Sequence, residues 1–291
     1  MDEFRKKFIY LCHFPRITWT DVYKTLKRDP QLLNLTSEYP LKKSQLSFTD
    51  SFQLTSNQNQ FSQNDFQDKI RHYPANDIEI ITYFDESYPN MLKEIYQPPW
   101  CLFVKGDISL LNEPKKLAIV GSRQASSYGK SAIQHILPPL LEKNIVIVSG
   151  LAKGIDALAH QMTIERGGKT IAVIAGGHFH LYPQENKNLA KRMEMDHLII
   201  SEYTPETRPS KWQFPARNRI ISGLCEGTLI IEAKRKSGSL ITANFAVQEG
   251  REVFAIPGSI FNPYSAGTND LIQQGAKLIM SGEDILAEMR Q

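Results

Sequence analysis

The sequence predicts an α/β protein, with a doubly wound, mostly parallel sheet behind a small helical N-terminal domain. Seven short runs rich in Val, Ile and Leu recur from residue 117 onward, and their apolarity is continuous rather than alternating. Continuous apolarity marks strands covered on both faces. Segments of helical period separate the runs, and strand–helix alternation of this kind builds a parallel sheet through right-handed crossovers.

In chain order, apolar groups at helical spacing come first: Phe4, Phe8 and Leu11, then Val22, Leu26 and Leu32, with Pro15 breaking the two stretches. Residues 44–68 differ in composition. Sixteen of those 25 positions are Ser, Thr, Asn or Gln, too few apolar groups to close a core, so a linker or loosely held module is expected. Phenylalanines at 48, 52, 61 and 66 argue for its partial docking. A boundary near residue 75 follows, giving a helical domain with polar linker over 1–75 and an α/β domain over 76–291. The strand candidates are LAIVGS (117–122), IVIVSG (145–150), TIAVIAGG (170–177), LIIS (198–201), TLIIEA (228–233), EVFAIPGS (252–259) and KLIMS (277–281).

A length of 291 residues suits about two domains of roughly 150 residues each, and 41% hydrophobic with 22% charged residues excludes disorder as the main state. Lys and Arg number 34 against 31 Asp and Glu, a net charge of +3. That excludes a polycation and leaves room for one locally basic face. Cys12, Cys101 and Cys225 are odd in number and far apart, so neither a disulfide framework nor a zinc ribbon is expected. The opening MDEFRKKFIYLCHF mixes acids with bases around a short apolar run, which is wrong for a signal peptide. No stretch approaches the ~18 apolar residues of a membrane span. A cytoplasmic protein with no membrane contact is expected.

Ligands of doubly wound folds bind at the edge where strands give way to helices. After successive strand candidates that edge carries Gly121-Ser122-Arg123, Ser149 to Gly154 with Lys153, Gly176-Gly177, Lys234 to Ser239, and Pro257-Gly258-Ser259. Small residues let backbone N–H groups approach an anion, and a helix N-terminus favours one. Between 208 and 239 stand seven bases, Arg208, Lys211, Arg217, Arg219, Lys234, Arg235 and Lys236, against Glu226 and Glu232. The window is therefore +5, more than the whole chain's +3. Trp212, Phe214 and Tyr182 interleave aromatic rings with these bases, a combination suited to single-stranded nucleic acid, whose bases stack while its phosphates pair. A solvated charged face over core aromatics is the plainer alternative.

Enzyme motifs fail. Gly129-Lys130-Ser131 resembles the end of a Walker A loop, but the upstream glycine is replaced by Gln124. The turn at Gly121 lacks both later glycines of a dinucleotide fingerprint, and neither GxSxG nor HExxH occurs. Asp156 and His160 share a helix face, where Asp156 is expected to stabilise the helix end. His178 and His180 alternate past a strand candidate, yet no third ligand stands near, so no metal is expected. Glu232 is read as an ion-pair partner for Arg219.

The runs GSRQASSYG, SGLAKGIDALAH, YPQEN, ISEY, FPARNRIISGL, EA with KSGSLITA, GREVFAIPGS, GTNDLIQQGA and DIL stand in an order that resembles the DNA processing protein A (DprA/Smf) family over roughly residues 78–287. The resemblance implies an extended Rossmann domain and a non-enzymatic homodimer that binds single-stranded DNA and helps load RecA recombinase during natural transformation. It implies no catalytic residue, cofactor or metal. Carried residue by residue, it assigns strand or phosphate contact to Gly121, Ser122, Arg123, Lys153, Phe214, Arg217, Asn218, Arg219, Lys234, Ser237, Gly238 and Ser239. For Arg123 the structural alternative is pairing with Glu232. Family dimers use the C-terminal part of the domain, where Leu271, Ile272, Leu278, Ile279 and Met280 supply apolar groups.

Three departures qualify the likeness. Phe179 stands where the family has an aspartate, so no role tied to that acid carries over. HFPRIT replaces a glycine-bearing N-terminal hairpin, leaving that backbone less able to hold a phosphate. With the end at Gln291, no winged-helix extension is expected. The competing class is a Rossmann-type nucleotide-binding or nucleoside-monophosphate phosphoribohydrolase-like enzyme; its PGGxGTxxE mark is unmet, because Pro257-Gly258 continues as SIFNPYSAGTN.

Overall fold

The computed structural model describes residues 2–35 and 63–289, so most of the expected linker, with Phe48, Phe52 and Phe61, lies outside the described residues. The chain divides into two compact units, Met1–Asp77 and Ile78–Gln291. In the first, α1 (Glu3–Cys12), α2 (Trp19–Arg28) and α3 (Gln63–His72) are the α-helices among the described residues. Phe8, Leu11 and Val22 are buried there, as the helical spacing requires, with Phe4 and Leu26 half-buried; Leu32 is buried too, but past the end of α2, in a turn where its φ is 52°. Pro15 lies between α1 and α2. A reciprocal cap starts α2: Thr18 Oγ1 accepts from the Asp21 amide while the Asp21 carboxylate accepts from the Thr18 amide, an arrangement worth about 1 kcal/mol. The Phe66 ring meets Tyr10 edge-on at 5.0 Å between centroids.

The second unit is a nine-stranded sheet with helices. It opens with β1 (Glu79–Thr82), α4 (Asn90–Lys93) and β2 (Cys101–Gly106), then alternates β3 (Lys116–Val120), α5 (Ser127–Glu142), β4 (Val146–Ser149), α6 (Ile155–Glu165) and β5 (Thr170–Ile174). It continues through α7 (Lys187–Asp196), β6 (Leu198–Ser201), α8 (Gln213–Gly223), β7 (Gly227–Ile230) and α9 (Gly238–Gln248). It closes with β8 (Glu252–Ala255), α10 (Ala266–Gln273), β9 (Lys277–Leu278) and α11 (Gly282–Glu288). All seven strand candidates contain strands. The spatial order is β1-β2-β6-β5-β4-β3-β7-β8-β9. Pairing is parallel from β6 through to β9, and β2 joins antiparallel to both β1 and β6.

Alternation along each strand splits the core in two. In β3, Ala118 and Val120 pack into one apolar cluster and Leu117 and Ile119 into the other, on opposite faces. Burying each large aliphatic side chain stabilises the fold by roughly 1.5–3 kcal/mol. The short edge pair β1–β2 stands outside the seven apolar runs and adds the sheet's antiparallel part.

Connections from β3 to β6 step one way across the sheet and those from β7 to β9 step the other way, so the order reverses between the parallel neighbours β3 and β7. A crevice opens beyond the carboxyl ends of strands at such a reversal. At the far end, the five apolar residues expected at a dimer surface differ in exposure, with alternation along the β9 segment separating Leu278 and Met280 from Ile279. Leu278 and Met280 are exposed, Leu271 and Ile272 are half-buried, and Ile279 is 1% exposed in the core. Ile279 therefore corrects the expectation: as it stands, its side chain has no free surface to offer a partner.

Candidate nucleic-acid interface

An open groove of about 960 Å³ occupies the crevice between β3 and β7. Its floor comes from the turn after β3, at Gly121 to Gln124. One wall comes from the start of α8 and the segment before it, the other from Lys234 to Ser239 and the start of α9, with Tyr264 at the far end. Three long-range contacts hold these pieces in place. The buried Glu232 carboxylate, just past β7, accepts from the Ser126 amide at 3.0 Å and the Ser126 hydroxyl at 2.5 Å, fixing the entry to α5. Asn218 Nδ2 donates to the Gly238 carbonyl at 3.2 Å, joining α8 to α9. The Tyr264 hydroxyl donates to Gln124 Oε1 at 2.6 Å.

The turn into α6 requires glycine at position 154. Its φ is +76°, and a Cβ there would lie 2.3 Å from the Ser122 carbonyl oxygen. That close approach lets the Ile155 amide donate to the same carbonyl at 3.1 Å. The hydroxyl of Ser122 is spent inside its own turn, donating to the Gln124 carbonyl and accepting from the Gln124 amide. At the opposite wall Ser237 caps α9, accepting from the Ser239 amide at 3.3 Å, and Lys236 takes a left-handed φ of 64° just before it. Gly238 is exposed at the first position of that helix, where N–H groups and the helix dipole can meet an anion.

The exposed rim is cationic and aromatic. The Arg123 guanidinium sits over the Phe214 ring, 5.6 Å from its centroid, and Phe214 meets Tyr182 edge-on at 5.6 Å. Trp212 is exposed and edge-on to Tyr203, and Lys234 Nζ lies 4.4 Å from the centroid of Tyr264. Arg123, Lys211, Lys234 and Lys236 are exposed and form no ion pair among the described residues. Arg235 is paired with Asp270 at 2.8 Å. Such a surface can take phosphates on its cations and unstacked rings on its aromatics.

Three other basic groups named from the sequence are enclosed or paired. Arg217 is 4% exposed; its Nη1 donates to the Gly150 carbonyl at 2.6 Å and to that of Val173. Burial holds its pKa down at about 10, opposed by the Asp156 carboxylate. The Asp156 carboxyl is itself pushed up by burial, against the pull of Arg217 and of the Gly150 amide, which donates to it at 3.2 Å. Arg219 corrects the expected pairing with Glu232: its Nη2 reaches Glu202, just past β6, at 2.5 Å. Burial raises the Glu202 carboxyl and Arg219 opposes that rise. Lys153 is exposed but paired with Glu185, outside the groove lining. Arg123 does not pair with Glu232 either, since that acid is occupied by Ser126.

His178 and His180 share a single turn of 3-10 helix, so strand alternation does not apply to them. His178 Nε2 donates to the Phe103 carbonyl at 2.8 Å, and burial lowers its pKa to about 4. Phe179, at the family's aspartate position, is exposed. Gln124 and Tyr264 belong to the groove without having been singled out as site residues. The one signal for Tyr264 was an aromatic residue in the loop after β8. No helix among the described residues is long and apolar enough to cross a membrane.

Residues 79–290 match the family model for DNA recombination-mediator protein A. The chain is 52% identical over 217 residues to DNA processing protein DprA of Bacillus subtilis, covering 75% of this chain and 73% of that protein. It is 53% identical over 204 residues to the Streptococcus pneumoniae protein of the same name, covering 70% and 72%. The fold matches the crystal structure of DNA processing protein A from Streptococcus pneumoniae with a TM-score of 0.78 at 41% identity, over 97% of both chains. It also matches DNA processing protein A from Helicobacter pylori, a protein described as having a unique single-stranded DNA binding mode, with a TM-score of 0.66 at 29% identity over 73% of this chain and 95% of that one. Family model, sequence likeness and fold agree: the chain belongs to the DNA recombination-mediator protein A family.

Proposed function

We propose that the groove binds single-stranded DNA, and that the protein acts as a homodimer that delivers the bound strand to RecA recombinase without catalysing a reaction itself. One observation carries the reading: Arg123, Lys211, Lys234 and Lys236, without an ion pair among the described residues, stand around a groove lined by the exposed or half-exposed rings of Tyr182, Phe214 and Tyr264, with exposed Trp212 next to Lys211. Cations beside available π-faces serve a strand whose bases are unpaired, whereas a duplex hides its base faces. The single-strand binding described for the Helicobacter pylori relative supports the same choice. Strand contacts fall to Arg123, Phe214, Lys234 and the Ser237-Gly238-Ser239 turn. Gly121, Ser122 and Asn218 shape the groove, and Leu278 and Met280 are the apolar groups free to meet a second copy.

The test is fluorescence anisotropy of a labelled oligothymidine against a duplex control, at two salt concentrations, with wild type and Arg123→Ala. Single-strand preference is expected, with affinity falling about tenfold in Arg123→Ala and the slope of log K against log salt shrinking by about 0.7. Equal weak binding of both DNA forms by both proteins would sink the reading. Release of free base from nucleoside monophosphates would then move the site to the enzyme class.

A further inference from the structure

The groove's basic residues do two different jobs, and Arg217 shows the second. Its guanidinium lies flat against the backbone of Gly150: a Cβ at that position would come within 2.2 Å of Nη1 and 2.5 Å of Cζ and Nη2. Nη1 donates to the carbonyls of Gly150 and Val173, which end β4 and β5. The Asp156 carboxylate, in the first turn of α6, accepts from the Gly150 amide at 3.2 Å and is drawn on by the amides of Gly121 and Ala152. A buried cation and a buried anion thus grip the chain ends of β3, β4 and β5 together. The cation is carried on α8, one turn beyond Phe214.

We infer that Arg217 is a positioning residue: seated on Gly150 and facing Asp156, it fixes the turns after β3 and β4 against the Phe214 end of α8, and takes no strand phosphate itself. This rests on the proposed strand binding. Its effect runs through geometry, because cations and N–H donors recognise a phosphate only when held at hydrogen-bonding distance. Lysine in its place keeps the charge and loses the planar group that packs on Gly150 and sets Nη1 between two carbonyls.

The test uses the full chain, with Gly150→Ala and Arg217→Lys beside wild type. Gly150 lies outside the groove lining and has no left-handed φ. Alanine there displaces the guanidinium without removing a charge. Binding of a labelled oligothymidine is titrated across salt, and hydrogen exchange of the 149–154 amides is followed without DNA. Each variant is expected to bind about tenfold more weakly with the wild-type salt slope, and its 149–154 amides to exchange about tenfold faster. A slope smaller by about 0.7 in Gly150→Ala, or wild-type affinity in Arg217→Lys, makes Arg217 a phosphate contact and overturns the inference. Should Gly150→Ala fail to fold, Arg217→Lys decides by affinity and exchange together. If wild type itself shows no salt-dependent strand binding, the proposed function fails, while the exchange measurement still shows whether Arg217 holds the turn.

Discussion

Arg123 and Arg217 border the same groove and have opposite surroundings. Arg123 is exposed over an aromatic ring with no ion pair among the described residues, whereas Arg217 is 4% exposed, bonded to two carbonyls and opposed by a carboxylate. The same division runs through the basic window: Lys211, Lys234 and Lys236 share the rim, Arg219 is enclosed with Glu202, and Arg235 is exposed but paired with Asp270. Formal charge is equal at each position, yet only the rim charges are available to a polyanion. Loss of a buried charge costs folding and the geometry it holds; on the proposed function, loss of an exposed, unpaired one costs binding directly.

Three substitutions or conditions test that division. Acid should act most strongly on the enclosed side. His160, fully buried with Nδ1 2.7 Å from Thr170 Oγ1, has its pKa lowered to about 3, first by burial and then by Arg217 and His197; His178 is lowered to about 4. Both lie below the unfolded value of about 6.5, so the unfolded chain takes up their protons first as pH falls. The stability these histidines lend is present above pH 6.5 and drains away towards pH 3 to 4. Urea unfolding at several pH values should lose about 1.4 kcal/mol per pH unit for each histidine within that window. Titration of either imidazole near pH 6.5, followed by NMR, would mean that it is not enclosed.

Next in size is Arg219→Gln, which leaves Glu202 half-buried without its partner. A loss of about 2 kcal/mol in stability is expected, while the binding of properly folded protein keeps its salt slope. An unchanged midpoint with a reduced slope would transfer Arg219 to the rim. The smallest effect belongs to Lys236→Ala: about threefold weaker strand binding, a slope smaller by about 0.7, and a melting temperature unmoved. A fall of several degrees in that temperature would erase the contrast between rim and interior.

Much of this architecture is legible from residues alone. LAIVGS and TLIIEA are apolar without interruption because both faces of β3 and β7 are covered, and their positions locate the crevice. The pair β1–β2 was harder to see: EIIT and CLFVKG are short and mark no such run. Burial within the basic window was also hidden. Helix α8 buries Gln213, Arg217 and Ser222 alongside Ile220 and Ile221, so polar side chains share its inner face and apolar periodicity cannot mark which arginine points inward. Ion-pair partners were hidden for a related reason. Glu202 and Glu232 both follow strands, and only the strand order decides which one meets Arg219.

The hydrogen bonds from Ser126 to Glu232 close a loop of 106 residues. During synthesis, the turn after β3 emerges long before the strand that completes the crevice beside it, and β7 has no place until β3 is formed. The groove therefore comes into being late, once the long-range pairing of β3 with β7 is made. A nascent chain ending before residue 227 lacks the wall from Lys234 to Ser239 entirely. Conversely, any ligand of the finished groove binds only once the distant halves of the sheet are joined, and stabilises the whole domain to an extent set by its concentration relative to Kd.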